Sequence, residues 1–183
     1  MAREGVRSGV FHLGELESLP FPDDSCELVT GVNSCQYAGN PRVALAEAKR
    51  VARPAAPVVI VTWGEPESME ASAVITSLKP LMPPPPPGAP GPFALSEEAA
   101  LRGFAAAAGL TPTSVEDVPA PFEYPDLDTA LRALKSAGVT ARAIEHSGEE
   151  AVDAAYAEAL APFRLGDGGF RLSATFRYLI ALA

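Results

Sequence analysis

The stretch Leu13–Trp63, LGELESLPFPDDSCELVTGVNSCQYAGNPRVALAEAKRVARPAAPVVIVTW, decides how the whole chain is read. Pro20, Pro22, Asp23 and Asp24 form a breaker cluster that ends whatever precedes Leu19. Cys26–Val32 is a short apolar run with β-branched residues, the pattern of a buried strand. Asn40 reads as a helix N-cap, and Pro41 takes the first helical position, where a backbone N–H has no intrahelical partner to lose. From Pro41 to about Arg53, residues Ala44, Leu45, Ala48, Val51 and Ala52 recur at helical spacing and make one apolar stripe. Arg42, Lys49, Arg50 and Arg53 lie mostly on the opposite side and read as a solvated face, the last three also suiting the negative end of the helix dipole. Pro54 stops the helix. Pro57–Thr62, PVVIVT, is apolar at every second position of both registers, a strand covered on both faces. Two such strands joined by a helix make a βαβ unit in a parallel sheet.

The chain has 183 residues, enough to bury a sizeable core, and 48% of them are hydrophobic against 20% charged, a globular balance. A formal net charge of −9 with no basic run argues against nucleic acid and against an anionic membrane surface as partners. No apolar run reaches the ~20 residues of a spanning helix, and the first residues lack the pattern of a secretory signal. Cys26 and Cys35 fit neither a C-x-x-C motif nor a zinc site, so no metal centre is expected. They read as small core hydrophobes in a reducing, cytoplasmic compartment.

Outward from the central stretch, Met1–Ser8 resembles the last turn of a helix with Gly5 after its end. Val10–Leu13 is a short strand candidate. Downstream, Ser68 is placed to cap a helix reaching Leu78, and Pro83–Pro87 predicts a stiff polyproline connector within 67–95. Ser96 is placed to cap a helix carrying Glu97 and Glu98 in its first turn and closed by Gly109. Thr111–Val118 has strand composition. Asp126–Pro162 is helical in three pieces cut at Gly138 and at Ser147-Gly148. Phe170–Leu182 alternates apolar residues with Arg171, Ser173, Thr175 and Arg177, a closing strand with one polar face. His12 and His146 lack neighbours at any catalytic spacing.

The string Gly14-Glu15-Leu16-Glu17-Ser18-Leu19-Pro20-Phe21-Pro22-Asp23-Asp24-Ser25-Cys26-Glu27-Leu28-Val29 resembles the G-D-x-x-x-L-P-F-x-D-x-S-F-D-x-V segment of class I S-adenosylmethionine-dependent methyltransferases, in particular the type 11 small-molecule enzymes. Glu47-x-x-Arg50-Val51-x-Arg53-Pro54 is similar to that family's E-x-x-R-V-L-K-P-G-G. The resemblance implies an α/β, Rossmann-like fold: a mostly parallel sheet with an antiparallel last strand, helices on both faces, and a helical insertion before the last strand. The full fold orders its strands 3-2-1-4-5-7-6. It implies one partial methyltransferase domain over 1–183, with a β-α-β core at 9–66 and the insertion at 126–165 over the substrate site.

The resemblance further implies S-adenosylmethionine as cofactor, held at the C-terminal ends of the strands. Glu15 would reach the adenine amino group and Leu16 would turn its backbone N–H toward the ring. Asn33 and Gln36 would lie beside the methionine portion, and Tyr37 and Trp63 would line the small-molecule substrate. No universal catalytic residue carries over, because methyl transfer depends mostly on positioning. The sequence also departs from the family. Its glycine-rich turn and the acidic residue that binds the ribose hydroxyls have no counterpart here, so the chain is expected to lack the first third of a normal domain. Glu15 stands where the family has Asp, and Ala55-Ala56 where it has Gly-Gly, at a position whose left-handed conformation costs an alanine about 1 kcal/mol.

Without strands 1 and 2, the Cys26–Val32 strand would present an open edge, covered by Val10–Leu13, by another copy in a homo-oligomer, or by another chain. Two functions follow from the resemblance. One is S-adenosylmethionine-dependent methyl transfer to a small molecule. The other is a non-catalytic methyltransferase-like remnant, or a partner-dependent subunit that does not bind the cofactor alone. A nicotinamide enzyme is the weaker third reading, since no G-x-G-x-x-G is present.

Overall fold

In the computed structural model of the chain, which describes residues 9–84 and 91–183, Val29–Val32 (β1) lies parallel to Pro57–Trp63 (β2) with Val29 opposite Val58 and Val32 opposite Val61. Helix α1, Pro41–Val51, joins them. Its start is as expected: the Asn40 side chain accepts the Val43 N–H at 3.4 Å, and Pro41 occupies the first turn. Ala44, Leu45, Ala48 and Val51 are its buried residues, which is the stripe read from the sequence. The chain then passes through Ala55 at φ 62, the left-handed conformation expected at the Gly-Gly position.

The remaining elements are α2 (Ala71–Ser77), α3 (Glu98–Ala107), β3 (Thr111–Pro119), β4 (Phe122–Tyr124), α4 (Leu127–Lys135), α5 (Gly138–Ser147), α6 (Glu149–Leu160), β5 (Phe170–Leu172) and β6 (Thr175–Leu182). The main sheet has the order β1-β2-β6-β3. Ala183 N–H donates to Ala56 O and Gly64 N–H to Thr175 O, so β6 runs antiparallel to β2. Thr113 Oγ1 donates to Ile180 O and Ala120 N–H to Ala174 O, so β6 is antiparallel to β3 as well. This is the 4-5-7-6 half of the strand order that the resemblance implies.

The contacts divide the chain into two compact units: 1–61 with 98–115 and 178–183, and 62–97 with 116–177. The first holds β1, α1, α3 and most of the sheet. The second holds α2, the three-helix segment α4–α6 and the antiparallel pair β4–β5. Its core is Ala71, Val74, Leu78, Ala130, Ala143, Val152, Tyr156, Leu160, Phe170, Leu172 and Ala174.

Several expectations are corrected. Val10–Leu13 is not a strand: Val10 is 82% exposed, Leu13 fully so, and no described strand lies beside them to supply hydrogen bonds. Only Val29–Val32 of the 26–32 run is regular strand, and it is half exposed rather than buried on both faces; Cys26 makes an isolated bridge to Ala52. Ser68 and Ser96 do not cap helices, because each hydroxyl donates backward to a carbonyl three residues before, Glu65 O and Phe93 O. Phe170–Leu182 is two strands. Around Ser173 the backbone turns to the start of α2, with Ser173 N–H donating to the Glu70 carboxylate at 2.7 Å and Ser173 O accepting the Ala71 N–H at 3.0 Å. Strand β4, squeezed between Pro121 and Pro125, has no signal in the sequence reading. The expected helix end at Gly5, and Pro85–Pro87 of the polyproline run, lie outside the described residues.

Candidate functional site

At the C-terminal end of β1 the chain turns through Asn33, whose φ of 46 is a left-handed conformation that asparagine tolerates better than most residues. Asn33 N–H still reaches Val61 O at 2.8 Å. A short 3-10 turn, Cys35–Tyr37, follows. Gln36 Nε2 donates to Asn33 Oδ1. The other end of the same amide, Gln36 Oε1, is buried without a partner, in a side chain 6% exposed. A buried acceptor left unmade costs about 1–3 kcal/mol. Burial pushes the neighbouring Cys35 thiol up from its ordinary value. Tyr37 points outward, 55% exposed.

The turn at 14–19 is fastened to this end of the unit. Glu17 Oε1 accepts the Asn40 N–H at 2.8 Å, a bond to the start of α1 that lowers the Glu17 pKa. Ser18 N–H donates to Glu15 O at 3.2 Å and closes the turn, leaving Glu15 and Leu16 exposed at its tip. Glu15, Leu16, Asn33, Gln36 and Tyr37 therefore all belong to the first unit, and the Glu17–Asn40 bond fastens their two segments together.

The following Leu-Pro-Phe-Pro-Asp segment is held by a residue the sequence reading misjudged. Arg50 donates to Leu19 O (3.1 Å), Phe21 O (2.9 Å) and Asp23 Oδ1 (2.6 Å), and makes two bonds to Glu47 at 2.7 and 2.8 Å. Glu47 also accepts the Leu19 N–H at 2.9 Å. The Arg50 guanidinium, followed by that backbone N–H, holds the Glu47 carboxyl at about 2, far below its ordinary value of 4.5. The expected solvated face is thus wrong for Arg50. Lys49 Nζ likewise bonds Gly109 O, and Arg53 pairs with Glu27. A planar fork of five donors suits two carbonyls and two carboxylates at once. The available signal was the E-x-x-R spacing, which puts Glu47 and Arg50 on one helix face.

Trp63 belongs to the second unit. Its ring stacks on Phe176 with centroids 4.5 Å apart and meets Phe122 edge-on at 6.2 Å. It is 8% exposed, and its indole N–H has no partner. In the same unit Arg177 is a second unanticipated clamp, bonding Asp117 at 2.7 and 2.8 Å, Glu65 at 3.1 Å and Ser96 O at 2.5 Å. Arg177 lowers the Asp117 pKa accordingly. Two open clefts of about 420 and 390 Å³ in this unit share Leu165 and Arg171, and neither is lined by a residue predicted from the sequence. His12 only meets the Phe21 ring edge-on at 5.0 Å. Among the described residues no group of three His, Cys, Asp or Glu could hold a metal ion, and no helix is long and apolar enough to cross a membrane.

Residues 1–60 match the family model described as methyltransferase domain. The malonyl-[acyl-carrier protein] O-methyltransferase of Erwinia pyrifoliae is 29% identical over 139 residues, 76% of this chain and 49% of that protein. The chain thus spans about half the length of this curated relative. Among solved structures, a Bacillus halodurans protein assigned as a methyltransferase superposes with a TM-score of 0.55 at 14% identity, covering 92% of this chain and 75% of that one. The YcgJ protein of Bacillus subtilis superposes with a TM-score of 0.53 at 19% identity, covering 98% and 74%. The resemblance to class I S-adenosylmethionine-dependent methyltransferases read from Gly14–Val29 and Glu47–Pro54 is borne out, and so is the Rossmann-like α/β fold.

Proposed function

We propose, from the premise of that class I resemblance and fold, that this chain takes part in S-adenosylmethionine-dependent methyl transfer to a small molecule. The observation that carries the reading is the strand order β1-β2-β6-β3 with β6 opposed to both neighbours, beside a turn clamped by Arg50. When bound, S-adenosylmethionine supplies an electrophilic methyl on a sulfonium, which an O, N or C nucleophile takes in line.

The residues present fit one side of that cofactor. Glu15 offers an exposed carboxylate for the adenine amino group, and Leu16 a backbone N–H. Gln36 Oε1 is the acceptor lacking a donor, suited to the methionine ammonium, and Asn33 Oδ1 keeps the Gln36 amide oriented through its bond to Nε2. Nothing in the sequence corresponds to the glycine-rich turn or the ribose-binding acid. For the acceptor, Tyr37 supplies an exposed phenol on the same unit. The curated relative acts on a malonyl group carried by a protein; here the proposed acceptor is a small molecule. A cytoplasmic site of action belongs to the same proposal, supported by two unpaired thiols.

A partner-dependent or non-catalytic reading is favoured by one specific feature: Glu15 and Leu16 stand exposed at the tip of their turn. Calorimetric titration with S-adenosylmethionine separates the two. Binding weakened tenfold or more by Gln36→Ala and by Glu15→Ala supports the first reading. A folded chain that takes up no heat at millimolar cofactor overturns it for this chain alone and favours the second.

A further inference from the structure

The turn that carries Glu15 and Leu16 reaches the segment that carries Asn33 and Gln36 through one side chain. Among the described residues, the Glu17 carboxylate makes the only hydrogen bonds from residues 14–18 to another segment, with Oε1 accepting the Asn40 N–H at 2.8 Å. The next anchor is at the far end of the turn, where the Leu19 N–H donates to Glu47 at 2.9 Å. Glu15 and Leu16 lie beyond the first anchor and are exposed.

Local chemistry explains the bond from both sides. In a capping box the N-cap side chain takes the N–H of the third helical residue, and a Glu or Gln at that third position returns a bond to the N-cap N–H. Asn40 Oδ1 makes the first of these bonds to Val43, but Val43 is itself the third residue and has no polar side chain to return the second. Glu17 supplies it from 23 residues earlier, with its charge at the positive end of α1. On the other side, a Cβ built on Gly39 would stand 3.1 Å from Glu17 Oε1. Gly39 does not have a positive φ, so its missing side chain serves the carboxylate and not the backbone.

From Asn40 the chain leads back to Gln36 through short-range bonds. Ala38 N–H donates to Cys35 O, Tyr37 N–H to Ser34 O, Gln36 Nε2 to Asn33 Oδ1, and Asn33 N–H to Val61 O on β2. A shift at Asn40 therefore moves a bonded segment, not a single residue.

We infer that Glu17, with Gly39 as its partner, is a positioning residue that sets the Glu15–Leu16 turn at a fixed distance from Asn33 and Gln36, so that the two halves of the proposed cofactor pocket bind as one. This rests on the methyltransferase reading. Without Glu17 each half still holds its own end of a ligand, whereas a ligand spanning both is held tightly only when their separation is preset.

The test follows backbone and side-chain amide resonances of the full chain, titrated with S-adenosylhomocysteine as the spanning probe and methylthioadenosine as its adenine end alone. Glu17→Ala and Gly39→Ala should each speed Asn40 amide exchange, shift the Glu15, Leu16 and Gln36 resonances together, and weaken S-adenosylhomocysteine by about tenfold while leaving methylthioadenosine within about twofold. Glu17→Gln keeps the Oε1 acceptor and should restore affinity to within about threefold of the parent. A merely structural role would lower the urea midpoint and weaken both ligands alike, and that result overturns the inference. Gln36 resonances unmoved by Glu17→Ala overturn it as well. Resonances that move together in a chain that takes up neither ligand keep the coupling of the turn to Gln36 and sink the methyltransferase reading. S-adenosylhomocysteine bound equally by the parent and by Glu17→Ala does the reverse.

Discussion

In the second unit, α2 and α4–α6 close with β4 and β5 around Val74, Val152, Leu160 and Leu172, none more than 1% exposed. Its buried polar pair is satisfied from within: the Tyr156 hydroxyl donates to Thr140 Oγ1 at 2.6 Å, and Thr140 Oγ1 donates on to Leu134 O at 3.0 Å. The second unit still leaves the buried Thr62 Oγ1, the Trp63 indole N–H and Asp153 Oδ1 without a partner among the described residues. In the first unit Thr30 and Val32 are exposed while Val59, Val61 and Ile180 are partly buried, and its Leu19–Asp23 loop is held largely by ions, through Glu47 and Arg50. The first unit leaves Leu28, just before β1, and Val32, at its end, more than half exposed.

The sharpest way to break that contrast is truncation on each side of it. Leu160→Ala should cost about 3 kcal/mol of unfolding free energy through lost transfer and cavity terms, whereas Leu28→Ser and Val32→Ala should stay within about 0.5 kcal/mol. Equal losses in urea titrations would mean the two units are equally closed.

Arg50→Ala should lower the urea midpoint, because it leaves Glu47 and two carbonyls without a charged donor. Limited proteolysis should then cut first within 19–24; unchanged resistance would show that the clamp does not hold the loop.

The same clamp predicts a pH dependence. A Glu47 carboxyl at about 2 in the folded chain, against an ordinary 4.5, contributes stability in full above about pH 5. That contribution disappears as pH falls from 4.5 toward 2. Lowered Glu17, Glu70, Asp117 and Asp126 add in the same direction. Glu47→Gln should flatten the acid limb of a Tm-against-pH plot, and an unaltered limb would count against the clamp.

The smallest effect expected is a gain. Ala55→Gly should stabilise by about 1 kcal/mol, since φ 62 strains an alanine and not a glycine. A loss in differential scanning calorimetry would mean that the extra freedom of the unfolded glycine outweighs the strain.

Much of the fold was legible because it is written in local chemistry. Asn40-Pro41 starts α1 by capping, Pro54 ends it, Gly138 and Ser147-Gly148 cut the three-helix segment where the structure breaks, and PVVIVT is a central strand. The candidate site was legible only through resemblance: Glu15, Asn33 and Gln36 carry no pattern of their own, and the structure adds the orphaned Gln36 acceptor and the Glu17–Asn40 bond that fastens the turn beside it. Arg50 and Arg177 were misread for a single reason. Spacing assigns a cation to the polar side of its element but is silent about carboxylates and carbonyls 27 to 112 residues away.

The sequence by itself determined where α1 begins and ends, where the three-helix segment is cut, the parallel β-α-β core and the methyltransferase-like character of residues 14–54, because caps, breakers and apolar periods act over a few residues. Only the tertiary structure decided that Phe170–Leu182 divides at Ser173 and that Cys26–Val32 is half exposed. Those outcomes depend on which segments meet across the chain, and a strand's own residues do not record whether a neighbour is present to cover them.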